Sequence, residues 1–260
     1  MSAGVSSFVA GYLAGLHEDI DEWIFIDVAD QHPDTYRFIG DCERFLGRPI
    51  TRLKSLKFDC VADVARKTKF LNSPHGAACT KNLKIEVRKQ WEKEHPGYKF
   101  SYIWGLDSGA HESQRAENMR LKHPEYNHEF PLLDYHLTKN DAHTILRYLG
   151  IKRPVQYDLG FANNNCVGCV KGGKYYWNLI RKYYPDVFKE RAKLEREIGH
   201  SCINGTFLDE LEPDSGRPNP TLDACSNSLF CFLAIEDIKK YRARNTSSEF
   251  SEDVLYGTGN

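Results

Sequence analysis

The feature that most constrains this chain is a short, wholly apolar run. Trp23-Ile24-Phe25-Ile26 ends abruptly at Asp27. A run this brief, with no polar residue in alternation, reads as a strand buried on both faces, as in a parallel sheet. Helical patterns flank it. Val9, Tyr12, Leu13 and Leu16 recur at helical spacing over roughly 6–17, and Pro33-Asp34-Thr35 opens a helix to about Leu46. The alternation continues. Strand patterns fall at Ile50–Leu53, Tyr102–Trp104 and Phe130–Leu133; helical patterns fall at Val61–Phe70, Leu83–Trp91, Glu112–Leu121 and Lys139–Leu149. Strands alternating with helices predict βαβ units and a parallel sheet, so this is an α/β protein. Ligands of such sheets bind beyond the carboxyl ends of the strands.

From Arg153 the pattern changes. A Gly-, Asn- and Cys-rich stretch (Gly160–Gly173) precedes charged helices at about 174–184 and 186–198. A Pro/Gly/Asp loop follows at Glu212–Pro220, then a last helix near 229–243. The expected organisation is a nucleotide domain at 1–152, a cysteine-bearing helical cap at 153–243 and a polar, frayed tail at 244–260. A chain of 260 residues buries its core without disulfides. No apolar run reaches the roughly 20 residues that span a bilayer, and the first residues lack the basic start of a signal peptide. No membrane partner and a cytoplasmic location are therefore expected. In a reducing compartment the eight cysteines read as metal ligands or thiols before disulfides. The net charge of −1 argues against a general grip on nucleic acid. A local patch in the cap (Lys171, Lys174, Arg181, Lys182) leaves a nucleic-acid acceptor open.

Four segments carry candidate chemistry. Ser2-Ala3-Gly4-Val5-Ser6-Ser7 precedes a predicted helix, where small residues let backbone N–H groups close on a phosphate; an ordinary helix cap is the plainer alternative. Asp27 ends a predicted strand, placed for a ribose hydroxyl, a base or magnesium. Cys166-Val167-Gly168-Cys169 has the spacing that sets two thiolates around one metal. Cys225 and Cys231 form a looser pair, Cys79 sits at a predicted helix start that favours thiolate, and His200 beside Cys202 offers mixed ligation. Cys42 and Cys60 read as small buried apolar residues. In Trp104-Gly105-Leu106 followed by His111–Arg115, Arg115 lies one turn into a helix after a strand, within reach of a phosphate or sulfate. The aromatics Tyr175–Trp177 and Tyr183-Tyr184 read as helix packing, and the run Lys189–Glu197 as a solvated face.

In this order the segments resemble the PAPS-reductase-like branch of the adenine nucleotide α-hydrolase, or PP-loop, superfamily, over about residues 2–235. The resemblance is carried by SAGVSS at 2–7, Asp27 with His32-Pro33-Asp34-Thr35, and Cys79-Thr80 with Leu83-Lys84. It continues in Gly105 with Glu112-Ser113 and Arg115, Pro131-Leu132, and Tyr157-Asp158-Leu159-Gly160-Phe161 leading to Cys166 and Cys169. It implies a Rossmann-like, HUP-type sheet of five strands and a bound adenine nucleotide, either ATP with magnesium or a sulfonucleotide (PAPS or APS). Ser2, Gly4, Val5, Ser6 and Ser7 would cradle phosphate, with Gly105 beside them. Asp27 would face ribose or adenine, and Lys84 and Arg115 the anionic end; Ser7, Asp27, Lys84 and Arg115 are the implied catalytic set. Cys79, Cys166, Cys169 and Cys225 would hold a [4Fe–4S] cluster or zinc, with Cys231 and Cys202 the alternatives for the fourth position.

The departures from the family pattern are specific. Ser6 stands where the family has Asp, and Ala3 where it has Gly. The C-terminal Glu-Cys-Gly-Leu-His segment of sulfonucleotide reductases has no counterpart. The expected activity is ATP cleavage at the α-phosphate, coupled to substrate activation or sulfur transfer with a sulfur-donor partner. The alternatives are thioredoxin-dependent sulfite release, with Cys225 or Cys231 as nucleophile, and a non-catalytic nucleotide sensor. The sequence gives no oligomeric state.

Overall fold

The structure, a computed structural model, describes residues 1–222 and 226–249, with side chains through 245. In chain order the elements are α1 (Val5–Ala14), β1 (Ile24–Asp27), α2 (Pro33–Leu46), β2 (Thr51–Lys54), α3 (Val61–Thr68), β3 (Asn72–Ser73), β4 (Gly76–Ala77), α4 (Ala78–Thr80) and α5 (Glu86–Glu94). Then come β5 (Ser101–Ile103), α6 (Ala110–Lys122), β6 (Asn127–Glu129), α7 (Pro131–Asp134), α8 (Lys139–Tyr148), α9 (Val155–Asp158), α10 (Lys174–Tyr183), α11 (Pro185–Ile198) and α12 (Leu229–Glu249). The chain is mixed α/β and about 51% helical; among the described residues the strands form three two-stranded sheets, two parallel and one antiparallel (β3 with β4), where the resemblance implies one sheet of five strands. It divides into two compact units that interleave in sequence. The first comprises Met1–Val5, Glu22–Lys99 and Ile151–Leu222; the second comprises Ser6–Asp21, Phe100–Gly150 and Asp223–Asn260.

In the first unit β1 and β2 pair in parallel, with Ile24 opposite Thr51 and Asp27 opposite Lys54. Helix α2 connects them for reasons visible in its sequence. His32 Nδ1 accepts the Asp34 N–H at 3.0 Å, Pro33 occupies the first turn, and Gly47 closes the helix at φ 63°. Thr35, Phe38, Ile39 and Cys42 form its buried stripe. One core cluster of this unit gathers Val61, Val64, Leu71, Phe161, Trp177, Ile180, Phe188 and Leu208. Trp177 is fully buried, its Nε1 without a hydrogen-bond partner among the described residues, whereas the Tyr176 hydroxyl is hydrogen-bonded.

In the second unit β5 and β6 pair in parallel, Ser101 opposite Asn127. Trp104 Nε1 donates to His128 Nδ1 at 3.0 Å, and a small core collects Leu106, Ala116 and Phe130. Helix α8 opens with a reciprocal cap between Thr138 and Asp141.

Three expectations are corrected. Phe130–Leu133 is not a strand: Pro131 opens the helical turn α7, and the strand lies earlier, at Asn127–Glu129. The last helix does not end at 243 but continues to Glu249. The segment Lys189–Glu197 is not a solvated face throughout, because Arg191 and Glu195 are buried. Between α4 and α5 the helix widens into a π-helical turn, Lys81–Ile85, which the sequence pattern does not show.

Candidate functional site

The loop before α1 has a distinctive backbone. Ala3 is fully buried and takes φ 56°, a left-handed conformation that a residue with a Cβ adopts at a cost of roughly 1–2 kcal/mol. A left-handed residue in such a turn is part of the concavity that directs backbone N–H groups at an anion. Helix α1 follows without an acidic residue in its first turn, so its N-terminal potential is uncompensated from within the helix.

Side chains of the first unit hold this loop. The Val5 N–H donates to the Tyr157 hydroxyl oxygen at 3.3 Å. A second backbone N–H, that of Asn164, bears on the same oxygen. Asn164 Nδ2 donates to the Ala3 carbonyl at 2.8 Å and to Thr35 Oγ1 at 3.1 Å. A Cβ on Gly4 would stand 3.3 Å from the Tyr157 oxygen, so the small residue permits this approach. In the second unit Gly105 meets the next part of the segment. A Cβ there would lie 2.6 Å from the Ser6 carbonyl carbon and 2.6 Å from the Ser7 nitrogen, a position only glycine occupies.

Asp27 ends β1, half-buried, and its Oδ1 accepts from the Tyr36 hydroxyl at 2.8 Å. Burial and this carboxylate push the Tyr36 phenol up to about 12. Three residues on, Asp30 organises the cysteine region. Its Oδ1 pairs with Arg191 Nη2 at 3.1 Å, its Oδ2 accepts the Val61 N–H at 2.8 Å, and its carbonyl accepts the Val167 N–H at 2.7 Å. The turn between Cys166 and Cys169 is fixed by Gly168 at φ 76° and by Tyr176, whose hydroxyl donates to the Cys166 carbonyl and accepts the Cys169 N–H, both at 2.8 Å.

Cys79, Cys166 and Cys169 share one electrostatic neighbourhood, in which the Lys84 ammonium opposes burial at Cys79 and Cys166. Burial dominates: it pushes the Cys166 thiol up to about 12 and raises Cys79 as well. Burial thus opposes the thiolate expected of Cys79 from a helix start, and its helix, α4, is only three residues long. Cys202 is buried, with Cys169 among its electrostatic neighbours; burial first and Glu195 second raise its thiol. Glu195 itself accepts the Leu208 N–H at 2.6 Å and the Cys202 N–H at 2.5 Å. His200 is turned elsewhere, its Nδ1 near the Ser201 carbonyl and its ring against Phe70.

Soft thiols grouped in this way have the chemistry of a zinc or iron–sulfur ligand set. Among the described residues, however, no three His, Cys, Asp or Glu side chains converge closely enough to hold a metal ion. Cys225 lies outside the described residues. Cys231 belongs to the second unit, buried, its Sγ 3.9 Å from the Asp141 carbonyl. Lys84 is exposed on the π-helical turn. Arg115 is exposed on α6, paired with Glu112 at 2.7 Å. Sequence reasoning missed Tyr157 and Asn164 as holders of the loop, and missed Asp30, Arg191 and Glu195; the Asn-rich run before Cys166 was the available signal. No helix among the described residues is long and apolar enough to cross a membrane. Compared with protein-family models, curated proteins and solved structures, the chain has no match.

Proposed function

We propose that this chain is a PAPS-reductase-like PP-loop enzyme that binds an adenine nucleotide through residues 2–7 and acts at its phosphate end. The observation that carries the reading is the loop itself. A left-handed residue stands at the position where the family has glycine, directly before a helix N-terminus, an arrangement suited to phosphate. The close approach of Gly105 to the Ser6–Ser7 peptide supports it, as does the parallel pairing of β1 with β2 and of β5 with β6 that a Rossmann-like sheet requires.

The proposed reaction is attack by an acceptor oxygen or sulfur on the α-phosphorus of ATP. The bond to the β-phosphate breaks, pyrophosphate leaves, and the acceptor carries AMP. Ser7 and the loop N–H groups would bind phosphate, Asp27 the ribose or adenine, and Lys84 and Arg115 negative charge. Ser6 stands in place of an Asp that would help bind magnesium or the attacked phosphate, so the magnesium accompanying ATP would rely on the phosphates and water. For Cys79, Cys166 and Cys169, with a fourth cysteine, to hold the metal group, their side chains would have to draw together on binding; the group would then supply redox or sulfur-transfer chemistry.

The reductase reading is the weaker one. Of its two candidate nucleophiles, Cys231 is almost fully buried, whereas a mobile catalytic thiol must be exposed and ionised; Cys225 lies outside the described residues. Incubation with Mg-ATP and small acceptors, followed by quantification of AMP and pyrophosphate, tests the leading reading. Sulfite release from PAPS or APS in the presence of thioredoxin, without AMP from ATP, would replace it with the reductase.

A further inference from the structure

We infer that Tyr157 and Asn164 are positioning residues of the phosphate loop, through which the cysteine-bearing segment sets the affinity of the loop for nucleotide phosphate. This rests on the reading of residues 2–7 as a phosphate loop and assigns it a control that the loop sequence does not contain.

Ala3 occupies a left-handed conformation unfavourable to it, and that conformation persists only where surrounding groups over-determine it. Two groups do so. Asn164 Nδ2 takes the Ala3 carbonyl and fixes the direction of that peptide. The Tyr157 oxygen takes the Val5 N–H and stands against Gly4. Both come from one stretch of chain, and that stretch is itself anchored on α2. The Val155 N–H donates to Asp34 Oδ2 at 2.7 Å, Arg37 donates to the Lys152 and Arg153 carbonyls at 3.0 Å, and Asn164 reaches Thr35. Asn164 precedes Cys166 by two residues, and Val167 is tied to Asp30. A change in the Cys166–Cys169 turn is therefore delivered to the Ala3 peptide over two residues of chain.

A second observation points to an occupant. Asn164 is 6% exposed, and its Oδ1 has no hydrogen-bond partner among the described residues. An unmet buried acceptor is unfavourable. It sits on the same amide that grips the loop, where a donor carried by the nucleotide or by its hydration shell would meet it.

The test is equilibrium binding of ATP with magnesium, APS and PAPS to the full chain, with adenosine in competition as the phosphate-free control. Tyr157→Phe removes only the hydroxyl; Asn164→Leu keeps the size and removes the donor without adding charge. Each variant is expected to bind the preferred nucleotide about tenfold more weakly, with adenosine affinity within about twofold, in a protein that still melts cooperatively. Wild-type affinity in both variants would overturn the inference while leaving the loop reading intact. Tighter binding by Tyr157→Phe would overturn it too, because the hydroxyl would then be a competitor for the Val5 N–H. Equal losses for nucleotide and adenosine would reduce both residues to general structural support and overturn it as well. If the folded wild type binds none of the three nucleotides, the loop reading fails, and the inference with it.

Discussion

Asp30 and Arg191 form an ion pair at 3.1 Å, although 161 positions separate them in the sequence, and both side chains are largely withdrawn from water. Arg191 also packs against the cysteine turn, within 3.6 Å of where a Cβ on Gly168 would lie. Removal of one partner leaves the other charge buried and uncompensated. Arg191→Met is expected to destabilise the protein by about 3–5 kcal/mol in urea unfolding. The double variant Asp30→Asn with Arg191→Met should recover part of that loss. An Arg191→Met protein as stable as wild type would show that the pair does not brace the turn.

Gly105→Ala is a sharper test of the loop. The added methyl meets the backbone of Ser6 and Ser7 at 2.6 Å, and backbone cannot rotate away as a side chain can. The expected result is loss of nucleotide binding with destabilisation of at least about 1–3 kcal/mol. Alanine at Gly173, where a Cβ meets nothing within 4 Å, is the matched control. Equal behaviour of the two variants would contradict the close approach.

Stability should fall in alkali, and Cys42 should contribute. Its thiol is fully buried on α2, and burial, with Asp41 beside it, raises its pKa strongly. The unfolded chain ionises this thiol from about pH 8.5, while the folded chain keeps the proton. The contribution is therefore complete below pH 8.5 and is lost as pH rises above it toward the folded value. Cys42→Ala should lower stability at pH 7 through its cavity yet flatten the decline between about pH 8.5 and 10. An unchanged slope would mean that Cys42 does not titrate differently on unfolding.

Elements whose instructions are local were legible in the sequence. Helix α2 follows from Pro33, Gly47 and the stripe Thr35, Phe38, Ile39 and Cys42. The parallel character of β1 follows from its unbroken apolar run. Local pattern misled at Phe130–Leu133, where an apolar run suggested a strand but Pro131 starts a helix, while polar Asn127-His128-Glu129 pairs with β5. It misled again at Arg191 and Glu195, whose burial depends on Asp30 and on the Cys202 and Leu208 amides rather than on their own neighbours. The loop and the CxxC turn were visible as motifs. The Tyr157 and Asn164 bonds that hold the loop were not, because they join residues more than 150 positions apart.

The cysteine reading has its own expected outcome. Anaerobically purified protein should be brown, with about four iron and four sulfide per chain, or else colourless with one zinc. Cys166→Ser and Cys169→Ser should lose the metal, and Cys42→Ser should keep it. Metal-free wild-type protein would leave these cysteines as buried apolar residues.

The most direct test of the account is calorimetric titration of the folded protein with Mg-ATP, APS and PAPS. Saturable binding of at least one of them, lost in Ser7→Ala combined with Ala3→Val, is the expected result, because a β-branched residue at φ 56° cannot maintain the loop. Binding of none of the three by a protein that melts cooperatively would contradict the account.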